Sequence, residues 1–68
     1  MAVVVKFVSG EERQYDGETA ALQGPVLVLY KRKRRKLESS DAFPAETVVW
    51  AQTPDGRTIL GRGTIKRN

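Results

Sequence analysis

The chain has 68 residues with no cysteine and no histidine, and its 12 Lys and Arg exceed its eight Asp and Glu by four charges. A chain of this length is near the lower size limit of a domain that folds alone, so we expect one small domain over residues 1–68. The composition excludes the commonest general base, thiolate nucleophiles, zinc–thiolate sites, iron–sulfur clusters and disulfides.

The N-terminal elements have the two-residue period of β-strands. Val3, Val5 and Phe7 alternate with the remaining residues of segment 3–8, and Ser9-Gly10 then predicts a turn. Residues 11–15 are polar, with Tyr15 as the apolar anchor. They predict the second, edge strand of an N-terminal hairpin.

The middle of the chain predicts one central strand between irregular segments. Residues 18–23 suit one helical turn or a loop that ends at Gly24-Pro25, and the continuous apolar run 26–30 predicts the central strand. Residues 38–41 read as a loop. Phe43-Pro44-Ala45 then predicts a short turn that returns Phe43 to the core.

The C-terminal part predicts a second hairpin. Residues 47–53 are rich in strand formers and place Trp50 in the core, and the Pro54-Asp55-Gly56 turn pairs them with residues 57–60. Gly61 and Gly63 predict a bulge or bend, and residues 64–65 a last short strand.

These elements predict an all-β fold of about five strands, in a small SH3-like barrel or a half-open antiparallel roll. A flat meander is the alternative topology. Residues 31–38 predict a basic arm or a long hairpin, because no N-cap residue precedes Lys31. The alternative is a short basic helix, which would make the fold α+β, since Arg, Lys, Leu and Glu all favour helices.

Half of the cations form one uninterrupted run, which we call the basic block. It leaves the other 62 residues with a net charge of −2 and consists of Lys31, Arg32, Lys33, Arg34, Arg35 and Lys36. On a continuing strand, Arg32, Arg34 and Lys36 share a face with Tyr30, whereas Leu37 continues the face of Leu29. Such a strand leaves the core near Tyr30, and its like charges repel one another unless an anion compensates them.

The basic block predicts binding to the phosphate backbone of DNA or RNA, which releases counterions. Tyr30 is placed to stack on bases, and Arg57 and Arg62, with Lys66 and Arg67 of the tail, would widen the cationic surface. The predicted nucleic-acid-binding residues are Tyr30, Lys31, Arg32, Lys33, Arg34, Arg35, Lys36, Arg57 and Arg62.

Other roles remain open for the basic block. It could keep the protein soluble and protect a sheet edge, or meet an anionic membrane surface. A second function is a protein-interaction or assembly module, an accessory or adaptor subunit. It would use an exposed strand edge, with the basic arm against an acidic partner. A homo-oligomer would stabilise so small a core.

We expect no enzymatic activity, no cofactor and no metal site. The carboxylates fall in turns and edge positions, and no phosphate-binding loop, dinucleotide fingerprint, nucleophile elbow or calcium loop occurs. The longest apolar runs, of about five residues, are too short to insert into a membrane, and no signal peptide is recognisable. A cytoplasmic location is the expectation, and no motif is specific to a protein family.

Overall fold

The computed structural model describes residues 1–64 and has seven strands in two antiparallel sheets. The elements in chain order are β1 (Ala2–Phe7), β2 (Glu12–Asp16), β3 (Thr19–Gln23), β4 (Val26–Lys33), β5 (Lys36–Pro44), a 3₁₀ turn (Ala45–Thr47), β6 (Val48–Gln52) and β7 (Thr58–Leu60). The sheet orders are β2-β1-β6-β7 and β3-β4-β5. The predicted all-β class is confirmed. No strand ladder joins the two sheets within residues 1–64, as in a half-open roll.

The two sheets bury one core between them, and the two-residue alternation along β1 and β4 selects its largest residues. Val3 and Val5 of β1 and Leu27 and Leu29 of β4 are fully buried. Burial of each such side chain contributes about 1.5–3 kcal/mol before the loss of chain entropy is subtracted. The run 26–30 is the central strand of its sheet, as predicted.

Two segments predicted to be irregular are strands, which raises the strand count from about five to seven. Residues 19–23 form β3 instead of a helical turn, because they pair with β4 and bury Ala20. Residues 38–41, predicted as a loop, lie inside β5, which pairs with β4 from Pro44 to Lys36. In both cases the hydrogen-bonding partner decides the conformation, against weak local preference.

The basic block belongs to a β-hairpin, as predicted, and not to the alternative short helix. Leu29 lies opposite Asp41 and Tyr30 opposite Ser39, so Ser40 is the extra residue of a β-bulge. The Ser40 hydroxyl donates a hydrogen bond of 3.4 Å to the Leu29 carbonyl oxygen. The bulge marks the point at which the ribbon leaves the core. We call residues 30–39 beyond it the basic hairpin.

Trp50 lies outside the core, contrary to the prediction. Val5 and Ala51 are paired and both buried, which places the neighbouring pair of Lys6 and Trp50 on the opposite face of the sheet. Trp50 also pairs with Leu60, whose exposure is 71%. Trp50 is therefore a half-buried residue of the outer sheet surface, because the small Ala51 takes the inward position.

The predicted bend at Gly61 and Gly63 is a close approach of two backbones. The Gly61 N–H donates to the Val49 carbonyl oxygen at 3.0 Å, and the Gly63 N–H to that of Val48 at 2.9 Å. A Cβ atom on Gly61 would overlap the Val48 carbonyl group. Thr64 is not part of a strand, and the rest of the predicted last strand, with Lys66 and Arg67, lies outside the described residues.

Residues 1–64 include no helix with the length and apolar character needed to cross a lipid bilayer.

Candidate nucleic-acid interface

The basic hairpin projects from the body of the protein into solvent. All residues from 31 to 39 are exposed, and the ladder ends at the pair of Lys33 and Lys36. Three residue steps separate this pair from the pair of Tyr30 and Ser39, or about 10 Å of ribbon. The elongated dimensions of the molecule, 46 × 22 × 16 Å, agree with such a projection.

The hairpin turn consists of two arginines in left-handed backbone conformations. The φ angles are 49° at Arg34 and 70° at Arg35, the pattern of a two-residue type I′ turn. Such turns favour Asn-Gly, because Gly has no Cβ and Asn tolerates the left-handed conformation, which costs other residues about 1–2 kcal/mol. The backbone is therefore strained at Arg34 and Arg35, whose guanidinium groups lie at the end of the hairpin. Backbone strain of this kind is typical of functional sites.

The turn also changes which residues share a face of the ribbon. Directly opposite residues lie on the same face, so Leu37 shares its face with Arg32, and therefore with Tyr30. Lys36 lies with Lys33 on the face that continues from Leu29. A continuing strand predicted Lys36 on the face of Tyr30 and Leu37 on the face of Leu29. That prediction is wrong, because the chain turns at residues 34–35 and so exchanges the two faces.

One cation of the block is already bound to a carboxylate of the protein. The Arg32 guanidinium contacts Glu18 through two bonds, Nε to Oε2 at 2.9 Å and Nη2 to Oε1 at 3.3 Å. Both side chains are partly exposed, at 53% and 38%, so this geometry adds little to stability. It does neutralise Arg32. Lys31 lies opposite Glu38 in the ladder, which offsets a second charge.

The remaining four cations of the block form a cluster at the end of the hairpin. We call Lys33, Arg34, Arg35 and Lys36 the tip cations. Within residues 1–64, none of them takes part in an ion pair. Lys33 and Lys36 are also directly opposite one another, an arrangement that destabilises a free hairpin. The tip is therefore a compact cluster of positive charge, and Glu38 lines a depression with three of its members.

Tyr30 lies at the base of the hairpin, where it is half-buried. Its hydroxyl accepts a hydrogen bond from the Gln23 side-chain amide, and its carbonyl oxygen accepts the Glu18 N–H at 2.8 Å. These bonds hold Tyr30 about 10 Å from the turn. Base stacking on Tyr30 stays a prediction.

The two other predicted arginines lie in different places. Arg57 is in the β6–β7 turn, whose Pro54 and Asp55 line a depression with Leu37 of the basic hairpin. The Thr53 hydroxyl bonds to the Asp55 carboxylate and holds the pKa of Asp55 below its ordinary value, and the charge of Arg57 lowers it further. Arg57 therefore lies beside an ionised carboxylate, and its contact with phosphate stays a prediction.

Arg62 does not join the cluster, which corrects its predicted role. Its N–H donates to the Ala45 carbonyl oxygen at 2.8 Å, and it lines a cleft with Pro25, Val26 and Pro44. Val26 begins β4, and the tip lies beyond the other end of that strand, about 23 Å away. The hydrogen bond to Ala45, the residue that follows β5, holds Arg62 at this far end.

Sequence reasoning missed two features of the surface. Glu18, which binds Arg32, is separated from it by 14 residues, and no local pattern joins them. Phe43 packs against Phe7 at 5.4 Å and against Tyr15 at 5.0 Å between ring centroids, and these rings line a cleft of about 370 Å³ between the edges of β2 and β5. In the described part of the chain, no group of three or more carboxylates could hold a metal ion.

Replacing Glu18 by Gln should strengthen binding to nucleic acid, because it frees the Arg32 guanidinium. The logarithmic salt slope should steepen by about 0.9, the value of one phosphate contact on a duplex. The free energy of unfolding should change by less than about 1 kcal/mol. Fluorescence anisotropy over a salt series measures the first effect and thermal unfolding the second. Glu12→Gln, an exposed position on β2, is the charge-matched control, and equal slopes for both variants would contradict the assignment.

Comparison with known proteins identifies no relative: no protein-family model, no curated protein and no solved structure matches this chain.

Proposed function

We propose that this protein is a small, non-enzymatic nucleic-acid-binding module that contacts the phosphate backbone through the tip cations. The observation that carries the proposal is the cluster of four adjacent exposed cations without an ion pair in residues 1–64, at the end of a projecting hairpin. Arg offers two parallel hydrogen bonds to a phosphate, and Lys a compact charge.

The energetics of the free hairpin support an anionic ligand. Lys33 faces Lys36, and the two turn arginines adopt a conformation that other residues adopt with less strain. Solubility alone requires neither feature, because dispersed charges serve it as well. A bound polyanion would remove the repulsion and add charge-assisted hydrogen bonds, so both features become favourable in a complex.

The test is a titration of a fluorescent DNA duplex at several salt concentrations. Four phosphate contacts predict a slope of log K against log salt of about −3.6, a loss of about 150-fold in affinity between about 50 and 200 mM salt. Contacts from all six cations of the block would give about −5.4. Lack of binding at the lowest salt, or a slope near zero, would exclude the proposed function.

A second candidate is an interaction or assembly module that uses the exposed edge of β5. This nine-residue strand is at the edge of its sheet and offers a ladder to an acidic partner or to a second copy. Its bulge at Ser40, its lysine and Pro44 all disfavour edge pairing, which places this function second. Sedimentation discriminates the two: a salt-resistant oligomer without affinity for nucleic acid would favour the edge function.

A further inference from the structure

We infer that the ligand is duplex DNA and that the basic hairpin enters its major groove with Arg34 and Arg35 leading. The inference rests on the proposed function and names the ligand class for the same site. Three observations support it: the dimensions of the ribbon, the lack of stacking aromatics in it, and the distribution of its charges.

The dimensions of the hairpin fit the major groove of B-form DNA. About 10 Å of two-stranded ribbon separates the bulge from the Lys33–Lys36 pair, and the turn lies beyond. The major groove is about 12 Å wide and 8.5 Å deep and admits a two-stranded ribbon, whereas the minor groove, about 6 Å wide, does not. In duplex RNA the major groove is too narrow for side chains to read. The ribbon is thus long enough to bring its turn to the groove floor.

The hairpin lacks the groups with which proteins hold single strands. Such binding depends on aromatic side chains that stack on successive bases beside a basic track. Residues 31–39 contain no aromatic residue. Tyr30 is at the base with its hydroxyl bonded to Gln23, and Trp50 lies in the other sheet between Lys6 and Leu60. The tip therefore offers charge and hydrogen-bond donors without a stacking surface.

The charges are arranged as a ribbon in a groove requires. Lys33 on β4 and Lys36 on β5 lie side by side on one face of the ribbon, so both ammonium groups are placed to contact the phosphates that this face meets at the border of the groove. Arg34 and Arg35 lie in the turn that enters the groove first, and an Arg in this position can bond to guanine O6 and N7 in a bidentate manner. Glu18 is bound to Arg32 nearer the body, whereas Glu38, opposite Lys31, lines a depression with Lys33, Arg34 and Lys36. The turn itself contains no acidic residue, so the part of the ribbon nearest the groove floor is cationic.

The experiment compares four labelled nucleic acids of one sequence at low salt. These are a DNA duplex of two helical turns, the RNA duplex, single-stranded DNA, and a DNA duplex with bulky C5 substituents on its pyrimidines. The substituents fill the major groove and leave the phosphates unchanged. We expect the wild-type protein to bind the plain DNA duplex at least about tenfold more tightly than any of the other three. The minor-groove ligand netropsin should change the affinity by less than about twofold.

The outcomes separate this inference from the function on which it rests. The plain DNA duplex is the reference for all comparisons. If the substituted duplex, the single strand or the RNA duplex bound with the same affinity as the plain DNA duplex, the groove assignment would be overturned and phosphate binding would stand. Displacement by netropsin would assign the hairpin to the minor groove and also overturn it. Lack of binding to all four would overturn both the inference and the proposed function.

Discussion

Replacing Arg34-Arg35 with Asn-Gly should stabilise the protein and weaken its binding to nucleic acid. Asn-Gly adopts the two positive φ angles of this turn without the strain of a bulky side chain, so the free energy of unfolding should rise by about 1–2 kcal/mol. For a domain of this size, that corresponds to an increase in melting temperature of about 4 °C or more. Thermal unfolding and amide hydrogen exchange within residues 30–39 measure the gain.

The same double substitution removes two of the four tip cations. The salt slope should fall from about −3.6 to about −1.8, and the loss of affinity between about 50 and 200 mM salt from about 150-fold to about 12-fold. A gain in stability together with a loss of binding is the expected signature of a strained functional turn, because a purely structural turn would not separate the two properties.

Two control variants separate charge, strain and position. Arg34→Lys with Arg35→Lys keeps both the charge and the bulky turn residues, so both stability and salt slope should stay near the wild-type values. Arg13→Ser with Arg62→Ser removes two charges from exposed positions on the body and should leave the slope nearly unchanged. If the body variant reduced the slope as much as the turn variant, net charge would explain the binding and the tip would have no special role.

Much of the fold could be predicted from local patterns. The two-residue alternation identifies β1, the strand formers of residues 47–53 identify β6, and the continuous apolar run identifies β4, of which one face is fully buried. Ser9-Gly10 and Pro54-Asp55-Gly56 mark two hairpin turns, and in both the glycine has a positive φ. These signals are local, and so they are visible in a single sequence.

The rest could not be predicted because non-local pairing decides it. Residues 19–23 and 38–41 have weak strand preference and are strands because β4 supplies the ladder on each side. The turn at Arg34-Arg35 has no Gly, Asn or Asp to mark it. The sequence therefore predicts a cationic arm or hairpin without locating its reversal. The reversal determines which residues share a face.

The candidate site was predicted at the level of the segment and not of each residue. The basic block is exposed as a projecting hairpin, but Arg32 is bound to Glu18 and Arg62 is at the far end of β4. Charge counting along the chain treats all cations alike, whereas the phosphate contacts available to each depend on tertiary neighbours. Four tip cations, instead of nine residues, therefore set the expected affinity.

Replacing Gly61 by Ala should unfold most of the protein. The added methyl group would overlap the carbonyl group and the Cβ of Val48, a fully buried residue, and a backbone group cannot move aside as a flexible side chain would. Displacing Gly61 instead would break its 3.0 Å hydrogen bond to Val49. We expect a loss of about 3 kcal/mol or more. A core of this size supplies only about 3–5 kcal/mol of net stability. Far-UV circular dichroism and the dispersion of amide proton shifts measure the folded fraction.

Gly24→Ala is the matched control, because it makes the same chemical change where the structure has space. Gly24 lies in the β3–β4 turn with a φ of 59°, and no atom would lie within 4 Å of an added Cβ. Only backbone strain opposes this substitution, about 1 kcal/mol, so the variant should remain folded with a lower melting temperature. The difference between the two variants isolates the contact between Gly61 and Val48. Equal melting temperatures would show that the chain after β7 does not pack closely against β6, and the bend would then have no part in holding the four-stranded sheet together.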